Sequence, residues 1–243
     1  MANLYLTLAP GPYHVGQTLV LTGDEAHHAA RVGRLTVGEN TLVGDGLGHT
    51  AAVVVESVTP REVHATVTEA QVPAIEEPRV WLAQALAKGD RDELAIQTAT
   101  ELGVYGIIPF LARRSVSQWR GDKLVSGVDR WKKIVTQASK QSLRAHVPEV
   151  LPPCGVRDLS TAVPGARIIA LDPEAETPLS AIDVDDHTPL VLVVGPEGGL
   201  DPDEIQYVDK AGGVHARLGS TVLRTSSAGP AALAVLNVKL RRW

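Results

Sequence analysis

The chain has 243 residues, with 23 Lys and Arg against 28 Asp and Glu, a formal net charge of −5. That balance argues against a plain nucleic-acid binder, which is usually basic. The hydrophobic fraction of 44% argues against disorder. One cysteine, Cys154, leaves no intrachain disulfide and no cysteine-rich metal site; with no evident base near it in sequence, it reads as an incidental thiol. No signal-peptide pattern opens the chain, and no apolar run approaches the ~18 residues a membrane helix needs. The expectation is a cytoplasmic α/β or α+β protein of one or two domains, with no metal and no membrane contact.

Residues 1–72 read as β-rich. TAAVVVESV (50–58) and the alternation of Val63, Ala65 and Val67 are strand patterns, and DGLG (45–48) is a turn between strands. A short helix is predicted from Asp24, as its cap, to about Arg34. Several short strands with turns suggest a small barrel. The aperiodic VPAIEEP (72–78) is read as the linker, dividing the chain into 1–74 and 75–243.

Beyond Arg79, near-continuous apolar runs alternate with helical segments. Strands are predicted at 80–86, 104–110, 167–172, 189–195 and 214–219, as expected for strands buried on both faces. A helix is predicted from Asp90, with Glu93 as its capping-box partner, to Gly103. Another begins at DPDE (201–204), with Asp201 as cap and Pro202 at the first position, and ends at Gly212-Gly213. The last helix is predicted from Ala228 to Arg241. Such alternation implies a mostly parallel α/β sheet.

Charge is unevenly distributed. Residues 105–147 sum to +7 and residues 215–243 to +5, whereas residues 148–214 sum to −10. A polyanion senses patches over a Debye length of about 8 Å, not the total. On a helix predicted over 127–145, Trp131, Ile134, Val135, Ala138 and Ser142 share one arc, at about 100° per residue. Arg130, Lys133, Gln137, Lys140 and Arg144 share another, a cationic stripe with Arg113, Arg114 and Arg120 just upstream. Its natural partner is a phosphate backbone. His27, Arg31 and Arg34 read as a second polar RNA-contact edge or, for any one of them, as a structural residue; adjacent histidines point apart on a helix, which disfavours a metal site at His27-His28.

LVVGPEGGLDPDEI (192–205) reads as a buried strand, a Gly-rich turn and a capped helix. Gly195, Gly198 and Gly199 would let backbone approach a ligand, and Glu197 would stand at the carboxyl end of a strand, where α/β proteins bind ligands. There is no dinucleotide fingerprint and no P-loop. In LGSTVLRTSSAGPAALAVL (218–236), Arg224 amid small residues suggests an anion contact.

Together, GPEGGLDPDE, LGSTVLRT, KGDRDELAIQTATELGV (88–104), ARRSVSQW (112–119), KQSLRAHVPEV (140–150) and HHAARVGR resemble, in order, the RsmE-type ribosomal RNA uracil-N3 methyltransferases of the SPOUT superfamily. The likeness spans nearly the whole chain. It departs where Gly33 precedes Arg34, where Lys140 replaces an acid before Gln141, and where Ser226-Ser227-Ala228 follows the LRT. The resemblance implies an N-terminal PUA-like β-barrel for RNA docking and a C-terminal SPOUT α/β domain with a deep trefoil knot. It implies S-adenosylmethionine as cofactor, 16S rRNA of the small ribosomal subunit as substrate, and a homodimer. Carried over, the cofactor residues are Gly195, Pro196, Glu197, Gly198 and Gly199, then Leu218, Gly219, Leu223, Arg224 and Thr225, with Leu171 at its strand end. Glu197 is the candidate for handling the N3 proton, and Arg144 or Arg224 for stabilising carbonyl charge. The RNA-binding candidates are His27, Arg31, Arg34, Arg113, Arg114, Arg130, Lys133, Lys140 and Arg144. Alternatives are a SPOUT enzyme acting on another base or a ribose, a non-catalytic ribosome assembly factor on the same fold, or a Rossmann-type oxidoreductase, the last weakened by the missing glycine fingerprint.

Overall fold

The computed structural model describes residues 3–72 and 75–243. Of the expected linker 72–78, Pro73 and Ala74 lie outside the described residues. The chain divides into two compact units. The first holds residues through Ile75 together with Thr136–Val147; the second holds Glu76–Val135 and Pro148–Trp243. The return of 136–147 to the first unit is not legible in any local pattern.

In the first unit, β1 (Leu4–Leu6), β2 (Thr18–Thr22), β3 (Asn40–Gly44), β4 (Thr50–Val58) and β5 (Glu62–Gln71) form one sheet in the order β1-β3-β4-β5-β2. Its pairs are antiparallel except β1 with β3. Alternate residues face inward: Val53, Val55, Val63, Ala65 and Val67 are buried with Tyr5, Leu19 and Leu21. The β4–β5 ladder shifts register twice, and such bulges bend a sheet. The hydroxyl of Thr7, just past edge strand β1, donates to the carbonyl of Val20 in the opposite edge strand at 3.1 Å, bringing the edges together. The Asp45 turn between β3 and β4 is held by its own carboxylate, which accepts the N–H groups of Gly11, Leu47 and His49. The early helix differs from expectation. Thr22, not Asp24, occupies the cap position of α1 (Gly23–His27), which runs on into a π-helical turn at His28–Val32.

In the second unit, β6 (Val80–Ala85), β7 (Gly106–Phe110), β8 (Glu149–Val150), β9 (Arg167–Leu171), β10 (Leu190–Val194) and β11 (Val214–Ala216) are all parallel, in the order β11-β9-β10-β6-β7-β8. The five predicted strands are present, though β11 ends three residues early; the two-residue β8 carries too little pattern to predict. Helices α2 (Arg91–Glu101), α3 (Lys123–Gln141), α4 (Leu159–Ala162), α5 (Pro202–Lys210) and α6 (Thr225–Lys239) complete the order. The apolar arc of α3 is realised: Trp131, Val135 and Ala138 are buried. Its end falls at Gln141, and Leu143 has φ +57, a left-handed conformation no helix interior tolerates.

Two helix starts separate sharply. At α5 the capping box is complete: the Asp201 carboxylate accepts from Asp203 N–H at 3.0 Å, and that of Glu204 accepts from Asp201 N–H at 2.8 Å. At α2 the expected box is absent. Asp90 is left-handed, with φ 58, and makes no cap bond. The Glu93 carboxylate is taken by Arg130 of α3, 2.5 Å away, because an opposite charge outbids a neutral N–H. No described helix is long and apolar enough to cross a membrane.

Candidate cofactor and RNA site

In-register parallel strands bring their carboxyl ends to one level. Leu171 of β9 pairs with Val194 of β10 on one side and Ala216 of β11 on the other. The segments expected to hold a ligand therefore leave the sheet side by side: Leu171, the 195–199 turn and the 218–225 loop. Carboxyl ends of parallel strands are where α/β sheets place ligand sites.

The 195–199 turn is braced throughout. Gly199 N–H donates to the Pro196 carbonyl at 2.9 Å, closing a tight turn whose last residue needs φ +71. A Cβ on Gly195 would lie 3.1 Å from the Leu200 nitrogen and 3.2 Å from the Gly199 carbonyl carbon, so any larger residue would push the turn's own backbone aside. Thr225 Oγ1 donates to the Gly195 carbonyl at 2.9 Å. Glu197, half-exposed, accepts from Arg91 Nη1 at 3.0 Å, and its Oε2 has no partner among the described residues. Arg114 donates to the Gly198 carbonyl at 3.3 Å and lies 3.5 Å from the Asp201 carboxylate.

The 218–223 segment is bare. Among the described residues, none of its N–H or C=O groups makes a hydrogen bond within the chain. Val222 is 78% exposed and Leu223 37%. Leu218 is half-buried and Gly219 exposed, with no heavy atom within 4 Å of where its Cβ would stand. Arg224 is exposed at the N-cap of α6, and its carbonyl accepts from Ser227 and Ala228. Free main-chain donors and acceptors beside apolar side chains, at the same level of the sheet as a glycine turn, suit an adenine edge and an amino-acid chain that carries a sulfonium. The residues present fit S-adenosylmethionine on these grounds.

The RNA candidates fare unevenly. His27, Arg31 and Arg34 are exposed in the first unit. Arg113 is held by Asp203 at 2.5 Å, which raises its guanidinium pKa above the ordinary value, and its backbone N–H donates to Glu204 at 3.0 Å. Arg130 is paired with Glu93, while Lys133 is exposed on the expected arc. Lys140 corrects the stripe. Its side chain is 5% exposed and lies 2.6 Å from Glu25, so the charge is neutralised inside the first unit instead of facing solvent. Arg144, in the same unit, is half-buried, and its backbone N–H donates to the Ser139 carbonyl. A groove of about 440 Å³ beside α5 is lined by Arg113, Arg157 and Lys210 but also by Asp158, Asp203 and Glu204, too mixed in charge for a phosphate cradle. Cys154 is half-buried, and burial pushes its thiol up to about 11, so it is not a nucleophile at neutral pH. Among the described residues, no group of three or more His, Cys, Asp or Glu could hold a metal ion.

Comparison with known proteins shows the family of the chain. A family model described as the RNA methyltransferase domain matches residues 75–237, and one described as the RNA methyltransferase PUA domain matches residues 21–68. The ribosomal RNA small subunit methyltransferase E of Mycobacterium bovis is 40% identical over 94% of this chain and 89% of its own length. The chain belongs to the ribosomal RNA small subunit methyltransferase E family. The Bacillus subtilis member is 31% identical over 98% of this chain and 96% of its own. The Neisseria gonorrhoeae member, whose crystal structure is bound to S-adenosyl methionine, has a TM-score of 0.87 at 28% identity and 98% coverage of both chains.

Two further residues meet the candidate site that no sequence pattern assigns to it. Arg91 lay inside a recognised segment, but nothing local showed that it meets Glu197, 106 positions away. Gln84 is fully buried in β6 and donates to Thr225 Oγ1 at 3.0 Å. Its signal was available: a lone amide in an otherwise apolar strand must find partners.

Proposed function

We propose that the protein transfers a methyl group from S-adenosylmethionine to N3 of a uridine in 16S rRNA of the small ribosomal subunit. The observation that carries this reading is the common level of Leu171, the Gly195–Gly199 turn and the Leu218–Thr225 loop at the ends of three adjacent strands. The relative from Neisseria gonorrhoeae, solved with the cofactor bound, supports it.

When bound, the cofactor supplies an electrophilic methyl carbon on sulfonium sulfur. The N3–C bond forms as the C–S bond breaks, its electron pair stays on sulfur, and the N3 proton must leave. Glu197 receives that proton, directly or through water; the Arg91 contact holds Oε1 and leaves Oε2 for it. Arg224 stabilises charge developing on a uracil carbonyl, with Arg144 of the first unit as the alternative donor. Much of the rate comes from holding nitrogen, carbon and sulfur in line.

Arg31, Arg34, His27 and Lys133, exposed and without a salt bridge among the described residues, are the proposed phosphate contacts, with the barrel of 1–74 as docking module and 75–243 as the catalytic domain. A trefoil knot is proposed for the catalytic domain. Supporting it are the insertion of β10 between β9 and β6 and the passage of Thr225 against Gly195. A homodimer is proposed on the exposed Val222 and the unpaired 218–223 backbone, and a cytoplasmic location on the ribosomal substrate.

The test supplies labelled cofactor and unmodified small subunits, then locates the label by nucleoside mass spectrometry. N3-methyluridine is expected; label on a ribose or another base rejects the assignment. Absence of cofactor binding by calorimetry favours an assembly factor. Wild-type turnover in Glu197→Gln, or in both Arg224→Ala and Arg144→Ala, removes the proposed roles.

A further inference from the structure

We propose that Gln84 is a positioning residue for the cofactor site. Through Thr225 it fixes the Gly195 carbonyl and joins the 195–199 turn to the end of the 218–225 loop. The proposal rests on the reading that these two segments hold S-adenosylmethionine.

Gln84 sits in β6 between two parallel neighbours, opposite Val194 of β10 and Pro109 of β7, and has no exposed surface. Its amide orientation is decided by what surrounds Nε2. Thr225 Oγ1 lies at 3.0 Å, the Ala85 carbonyl at 3.3 Å and the Thr225 carbonyl at 3.5 Å, all acceptors. The Thr225 hydroxyl carries one hydrogen. Because it accepts from Gln84, that hydrogen is directed to the Gly195 carbonyl at 2.9 Å. The relay therefore runs one way: Gln84 to Thr225 to Gly195. Gly195 is the last residue before the turn, and Pro196 after it has no N–H to anchor the peptide itself. Pinning the carbonyl fixes where the turn starts.

The other end of the amide argues against a role in stability alone. Gln84 Oε1 is buried with no hydrogen-bond partner, covered by α6 where Gly229 leaves room; a Cβ there would come 3.0 Å from Leu82 and 3.5 Å from Oε1. An apolar side chain of the same length would fill this position without an orphaned acceptor, whereas a buried acceptor left unpaired carries its full desolvation cost. The amide is the costlier choice for packing and the better one for orienting Thr225.

The test uses the full-length protein. Binding of S-adenosylmethionine is measured by calorimetry, melting is measured without cofactor, and KM for the cofactor is separated from kcat. In Gln84→Met, Kd and KM for the cofactor should rise about tenfold, the scale of one lost orienting hydrogen bond, while kcat at saturation and the melting temperature change little; in Thr225→Val, which also takes from the buried Gln84 amide its acceptor at 3.0 Å, the same rise should come with a lowered melting temperature. Thr225→Ser keeps the hydroxyl and should bind nearly as wild type. In Gln84→Glu an ionised carboxylate can only accept, so the Thr225 hydrogen turns toward it and Gly195 is released. Cofactor affinity should then fall as pH rises through the introduced carboxyl's titration and recover as pH falls, a dependence the wild type lacks. Unchanged Kd in folded Gln84→Met and Thr225→Val overturns the relay. So does a loss that tracks melting temperature and is not rescued by Thr225→Ser. Should Gln84→Met not fold, the Thr225→Val and Thr225→Ser pair decides. Wild-type protein that binds no cofactor sinks the underlying reading instead.

Discussion

The turn after β10 and the loop after β11 leave the sheet at one level, a strand apart, and are built in opposite ways. Residues 195–199 are held by Thr225, Arg91, Arg114 and their own turn bond. Among the described residues, 218–223 make no main-chain hydrogen bond. A braced turn is organised before any ligand arrives and adds little ordering cost on binding. A bare loop offers its main chain to whatever lies against it, and its final geometry is set then. The contrast assigns positioning to the first segment and adaptation to the second, and substitutions in each should separate along that line.

The largest effect is expected at Glu204, which fixes the start of α5 just after the turn. The residue is 3% exposed, and its carboxylate accepts two backbone N–H groups, from Asp201 at 2.8 Å and Arg113 at 3.0 Å. Glu204→Ala leaves both without their partner, at roughly 1–3 kcal/mol each where water cannot reach, so about 2–6 kcal/mol of stability should be lost. Urea denaturation measures it. A loss below about 1 kcal/mol would mean that the brace is replaceable by solvent.

Next comes Gly195→Ala. The new Cβ meets backbone at 3.1 and 3.2 Å, atoms that cannot swing aside as a flexible side chain would. Overpacking of this kind costs about 1–3 kcal/mol, and here the turn itself must shift. Both melting temperature and cofactor affinity should fall together. Lowered stability with unchanged affinity would show that the geometry of the braced turn does not matter to the ligand.

How far these segments could be read in advance depended on how far away their partners lie in sequence. The DPDE start of α5 was legible because Asp201 and Glu204 complete their box within three residues. The same reasoning failed at Asp90, where Glu93 answers to Arg130, 37 residues on. Lys140 shared a helical arc with exposed cations, and its burial depends on Glu25, 115 positions back. Gln84 and Thr225 stand 141 positions apart. Periodicity reports which face of an element is apolar. It does not report which distant charge or hydroxyl folding delivers to that face, and the bracing of the candidate site is made of such deliveries.

The smallest effect on the fold, and the sharpest test of the contrast, is at Gly219. No heavy atom lies within 4 Å of where its Cβ would stand, and its φ is outside the left-handed region. Gly219→Ala should therefore change stability by less than about 0.5 kcal/mol, with a slight gain possible from a stiffer unfolded chain. Whatever the substitution does to cofactor affinity must then arise from the ligand's side, since the protein alone offers the methyl no obstacle. A raised Kd at unchanged melting temperature would place the cofactor against the bare loop and explain why that backbone is left unpaired. An unchanged Kd would remove Gly219 from the contact surface and leave the braced turn to carry recognition at this level. A fall in stability with no ligand present would break the contrast itself, because it would mean the loop is already packed against something, and a second copy of the chain would be the first candidate to measure by light scattering.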